Sequence, residues 1–72
     1  MKLGSKLPVL SWRDILKILR KAGFSQVGQT GSHIYMTDGA HKVTIPRHSE
    51  IAKGTLLSII AQSGLPRKYF LK

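Results

Sequence analysis

Seventy-two residues, 42% of them hydrophobic and none of them cysteine, describe one small folded domain, too apolar for a disordered tail and without disulfides or thiolate metal sites. Twelve Lys and Arg stand against three Asp and Glu, and the net charge of +9 exceeds what solubility needs, so a polyanionic partner is expected, either nucleic acid or an acidic protein surface. No apolar run approaches the roughly 20 residues of a membrane span, and the first ten residues lack a secretory pattern, so the expectation is a cytoplasmic chain with no membrane partner.

Residues 1–10 read as an irregular lead-in containing Gly4, Ser5 and Pro8, with Leu7, Val9 and Leu10 available to the core. A helix then begins at Ser11, whose hydroxyl and the Asp14 carboxylate have the spacing of a capping box. Trp12, Ile15, Leu16 and Leu19 follow as one apolar stripe, with Arg13, Lys17, Arg20 and Lys21 on the other side. Gly23 is the left-handed stop. Phe24 to Thr30 reads as a short strand, with Phe24 and Val27 its apolar contacts and Gly28 weakening it. Ser32 to Thr37 is a second strand, Asp38-Gly39 a two-residue hairpin turn, and His41 to Ile45 the returning strand.

Alternation sets Ile34, Met36, Val43 and Ile45 on one face if the loop holds an even number of residues. His33, Tyr35, Lys42 and Thr44 then share the opposite face, which points His33 away from the core. Pro46 ends the pairing. A second helix follows Gly54-Thr55 with Leu56, Ile59 and Ile60 as its stripe, and Gly64 and Pro66 stop it. One further turn over Pro66 to Leu71 packs Tyr69 and Phe70. The resulting order, helix, three strands, helix, is an α+β domain with both helices on one face of a three-stranded antiparallel sheet.

Few chemistries fit this residue set. The three histidines, His33, His41 and His48, make no metal-ligand spacing, so no metal and no cofactor is expected. Neither a Ser–His–Asp set, a phosphate-binding glycine loop nor a credible carboxylate pair is present. RNA cleavage demands less, because the ribose 2′-hydroxyl is an internal nucleophile. The protein then supplies only a proton carrier and positive charge near the phosphate. Imidazole, ordinarily titrating near pH 6.5, suits either direction of transfer.

His33, directly after the Gly31-Ser32 turn, is the candidate general acid or base, with Arg47, Lys42 or Lys53 to stabilise the phosphorane charge. Read from the residues alone, a surface histidine of no consequence is the commoner case. His48 fits a phosphate contact or a cap on the next segment, and His41 a partly covered edge residue on the apolar side. Tyr35 suits base stacking as well as plain strand packing. Gly54-Thr55 amides fit a phosphate or ordinary capping.

Residues Leu7-Pro8, LRKAGF from Leu19 to Phe24, Gly31-Ser32-His33, VTIPRH from Val43 to His48, Glu50-Ile51 and KGTL from Lys53 to Leu56 occur in an order that resembles the HicA, or YcfA-like, family of bacterial toxins. Ser58-Ile59-Ile60, Gln62 and Gly64-Leu65 continue the resemblance over almost the whole chain. It implies a single domain over residues 1–72 with a double-stranded-RNA-binding-domain-like α-β-β-β-α fold. It also implies a metal-independent endoribonuclease acting on mRNA, an mRNA interferase, with the GSH histidine, His33, as catalytic residue. Ser32, Tyr35, Lys42, Arg47, His48 and Lys53 are then the expected RNA contacts, and a HicB-type antitoxin the expected inhibitor. Two other readings share the charge: a non-catalytic module clamping double-stranded RNA, and a domain that binds only an acidic protein.

Overall fold

The structure, a computed structural model, describes residues 7–71, so Met1 to Lys6 of the expected lead-in lie outside the described residues. The elements are α1 (Trp12–Lys21), β1 (Ser25–Thr30), β2 (His33–Thr37), β3 (Lys42–Pro46) and α2 (Lys53–Ser63), followed by a 3-10 turn at Arg67–Phe70. Helix, three strands and helix follow one another as expected.

α1 is fixed at both ends by its own residues. The Ser11 hydroxyl accepts the Asp14 amide at 3.2 Å and the Asp14 carboxylate accepts the Ser11 amide at 3.0 Å, the reciprocal capping box. At the other end the Gly23 amide donates to Arg20 and the Phe24 amide to Leu19, two bonds that satisfy the last carbonyls and turn the chain into β1. Between them Ile15, Leu16 and Leu19 are buried.

The sheet is antiparallel in the order β1-β2-β3. Ile34 lies opposite Ile45 and Met36 opposite Val43, and all four are buried. Leu16 and Leu19 of α1 join this face from one side, Leu56 and Ile59 of α2 from the other, and Leu10, Phe24, Ile51 and Phe70 close the same cluster. Both helices therefore cover one face, and the alternate positions of the strands look out from the other.

Several details depart from expectation. The loop between β2 and β3 has four residues, Asp38 to His41, because Thr37 pairs with Lys42. Asp38 accepts the amides of Ala40 and His41 at 2.8 and 2.6 Å, and Thr37 donates its hydroxyl to the His41 carbonyl. These local bonds outcompete the tight two-residue turn. Four is still even, so the face assignment survives. The two-residue connection falls instead at Gly31-Ser32, where Gly31 takes φ +54° as the first position of such a turn requires. β3 runs one residue further, to Pro46.

β1 begins after Phe24, which is buried just ahead of it, and a bulge between Gln26 and Gly28 leaves Val27 58% exposed. Val27 is thus no core contact. In the last turn Phe70 is buried while Tyr69 is 46% exposed, since the turn offers the core one side only. Of the residues ahead of α1, Leu10 is buried, Leu7 is partly so and Val9 is exposed. Ser63 is buried where Ile60 is only partly so, its hydroxyl donating to the Ile60 carbonyl.

Candidate functional site

His33 opens β2, paired with Thr30 on one side and Pro46 on the other. It precedes buried Ile34 by one residue, so alternation turns it to the open face, where it is exposed. Three contacts gather the surrounding segments. The Arg47 amide donates to the Ser32 carbonyl at 2.7 Å, the Trp12 amide to the His48 carbonyl at 3.1 Å, and the Ile51 amide to the Leu10 carbonyl at 2.8 Å. One end of the sheet thereby collects the Gly31-Ser32-His33 turn, the Pro46-Arg47-His48 segment and the beginnings of both helices.

The expected site residues divide by position. Ser32, His33, Arg47, His48 and Lys53 all belong to this end, and all five are exposed. Lys53 is the first residue of α2, which starts without a side-chain cap or an acid in its first turn. The Arg47 guanidinium does not share His33's face. It lies 5.0 Å from the centroid of the Trp12 ring, with Arg13 at 5.2 Å from the same centroid, on the helix side of the sheet.

Tyr35 stands one position further along the open face, half-buried, with its ring over Gly28 at 3.8 Å from where a Cβ would sit. Lys42 pairs with Thr37 at the opposite end of the strands, about 13 Å from His33 at four residues' rise. His41 is also remote. It lies partly covered in the hairpin loop, its ring against Gly64 at the end of α2 on the helix side, with its Nδ1 3.1 Å from the Asp38 carboxylate.

Of the acids, only Asp38 is remote from this end of the sheet. Asp14 caps α1, and Asp38 serves the far loop, where the amides of His41 and Ala40 and then the His41 ring hold its carboxyl at about 2, below the ordinary 3.8. Glu50 is exposed in the connection to α2. Among the described residues no three His, Cys, Asp or Glu side chains gather as a metal site. No helix there is long and apolar enough to cross a membrane. The end of the sheet can thus offer an imidazole for proton transfer, with exposed basic side chains on the neighbouring segments.

The sequence gives no sign of a groove of about 460 Å³ between α1 and β1. Gln26 and Gln29 both line it, although three residues apart on a regular strand would face opposite ways. The extra residue at Val27 restores them to one side: Gln26 lies opposite Met36 and Gln29 opposite Ile34. Trp12, counted from its spacing as core stripe, is half-exposed at the groove's lip.

A family model described as HicA toxin of bacterial toxin-antitoxin matches residues 12–65. No curated protein and no solved structure matches the chain.

Proposed function

Because the chain belongs to the HicA toxin family of bacterial toxin–antitoxin systems, we propose that it acts as an endoribonuclease on mRNA with His33 as general acid or base. The observation that carries this reading is the placement of His33. It faces solvent at the rim of an open sheet face, next to the Gly31-Ser32 turn and at the end where Arg47, His48 and Lys53 collect.

The ribose 2′-oxygen attacks the neighbouring phosphorus and the 5′-oxygen leaves. The imidazole takes the 2′-hydroxyl proton or returns one to the departing oxygen, leaving a cyclic phosphate and a 5′-hydroxyl. The step needs no metal. Lys53 supplies charge beside the phosphate, His48 a ring nitrogen to hydrogen-bond it, Ser32 a hydroxyl, and Arg47 a contact around the end of the sheet. Tyr35 offers its ring to a base, and Lys42 holds the strand further along the face. The protein partner is a HicB-type antitoxin, acidic where it meets this charge.

Labelled RNA incubated with the purified chain and a chelator should be cut. His33→Ala should keep the fold and the RNA affinity while losing cleavage, and a 2′-deoxy residue at the scissile position should resist the wild type. Undiminished cleavage by the mutant would falsify the assignment, and a shifted but intact RNA with the wild type would make the chain a binding module.

A further inference from the structure

The two edges of the sheet are unlike. β3 carries Lys42 at one end and Pro46 at the other, and its Thr44 amide donates to the Gln62 side chain of α2 at 3.0 Å. Charge, proline and a covering side chain are the usual means of closing an edge. β1, Ser-Gln-Val-Gly-Gln-Thr, has neither charge nor proline. Among the described residues no hydrogen bond outside the sheet reaches Ser25 to Thr30. Thr30 faces His33 across the two-residue turn as a hydrogen-bonded pair, so the amide and carbonyl of Gln29 point outward.

Beside this open edge runs the groove under α1. Leu16 and Ile34 form its apolar floor, and Arg13, Lys17 and Arg20 its rim. It has the position that the inward side chains of a further strand would occupy.

We propose that β1 and this groove receive an extended acidic segment of a protein partner, added to the sheet as a fourth strand. Alternate side chains of the segment enter the groove, and their carboxylates meet Arg13, Lys17 and Arg20. RNA would satisfy the same cations, but it has no alternating amides and carbonyls to pair with Gln29, so the backbone edge favours a peptide. The bulge at Val27 limits regular pairing to Gly28 through Thr30 and sets an exposed apolar side chain against the newcomer. A strand so paired ends beside Gly31-Ser32-His33. The inference rests on the toxin reading for the partner, which is the antitoxin, and not on the chemistry of His33.

The probe is a capped peptide of about ten alternating glutamates and valines, long enough for one strand. Its lysine–valine counterpart and a short single-stranded RNA serve as controls. Amide exchange followed by NMR should show protection of Gln29 with the acidic peptide, by roughly tenfold or more, and none with the RNA. Lys17→Glu combined with Arg20→Glu, both exposed helix positions, should weaken the acidic peptide by roughly tenfold while the folded spectrum persists. Gln29→Pro, which deletes the outward amide, should weaken it as well. Unchanged Gln29 exchange with bound acidic peptide, equal binding of the lysine peptide, or equal affinity for the charge-reversed variant would each overturn the proposal. RNA cleavage is not read in this experiment, so its failure and a failure of the His33 assignment are separate results.

Discussion

Asp38 accepts three hydrogen bonds within its own loop, from the Ala40 amide, the His41 amide and the His41 ring. Those bonds favour its charged form, which is why its carboxyl titrates at about 2 instead of 3.8. Between these values the unfolded chain binds a proton that the folded chain refuses. Asp38 therefore stabilises the fold fully above pH 3.8, and the contribution fades as the pH falls through about 2. Asp38→Asn cannot titrate, so the gap in melting temperature between wild type and mutant should be widest above pH 3.8 and vanish below 2. A gap that stays constant with pH would show that the carboxylate's charge is not what holds the loop. Gly64, at the end of α2, meets the same loop. Its φ is +70° and any side chain there would overlap the His41 ring, so this glycine both ends a helix and admits the loop against it.

At the scale of elements, α1 hangs on its first turn. Ser11→Ala removes the acceptor for the Asp14 amide and should cost about 1 kcal/mol, read as a lower denaturant midpoint with an unchanged slope. Ser11→Thr should restore most of it. A midpoint equal to the wild type would mean that packing of Ile15, Leu16 and Leu19 alone holds the helix. Local chemistry of this kind explains what was legible of the helices: Ser11, Asp14 and Gly23 bound α1 and Gly64 and Pro66 stop α2, whereas α2 starts at Lys53, without a side-chain cap and ahead of the expected Gly54-Thr55. The orientation of His33 was legible for a related reason, since it stands one residue before Ile34 in an alternating strand, and an even loop, four residues or two, keeps Val43 and Ile45 on Ile34's face. β1 was not legible in the same way. Its bulge depends on how it pairs with β2, and nothing near Val27 announces an unpaired residue. The groove is a further step removed, because it needs α1, the bulge and Arg47 together.

The whole molecule has little stability to spare. At roughly 0.05–0.15 kcal/mol per residue, a chain of this length is held by about 4–11 kcal/mol. Phe70 lies beyond the matched residues 12–65, yet it is wholly buried and its 3-10 turn packs on α1. Phe70→Ala should cost about 3–5 kcal/mol and leave much of the chain unfolded near body temperature, as seen by urea titration or circular dichroism. A loss near zero would show that the last turn is dispensable and that the core closes without it. Positive charge, by contrast, is spread widely: α1 carries Arg13, Lys17, Arg20 and Lys21, and α2 begins with Lys53.

The single tryptophan sits where that charge meets the groove, its indole flanked by the guanidiniums of Arg13 and Arg47. Excited at the red edge of its absorption, the chain therefore emits from one neighbourhood only. Any anion that draws either guanidinium off the ring changes the brightness or colour of that emission, so occupancy of the lip can be followed in unlabelled protein, in real time.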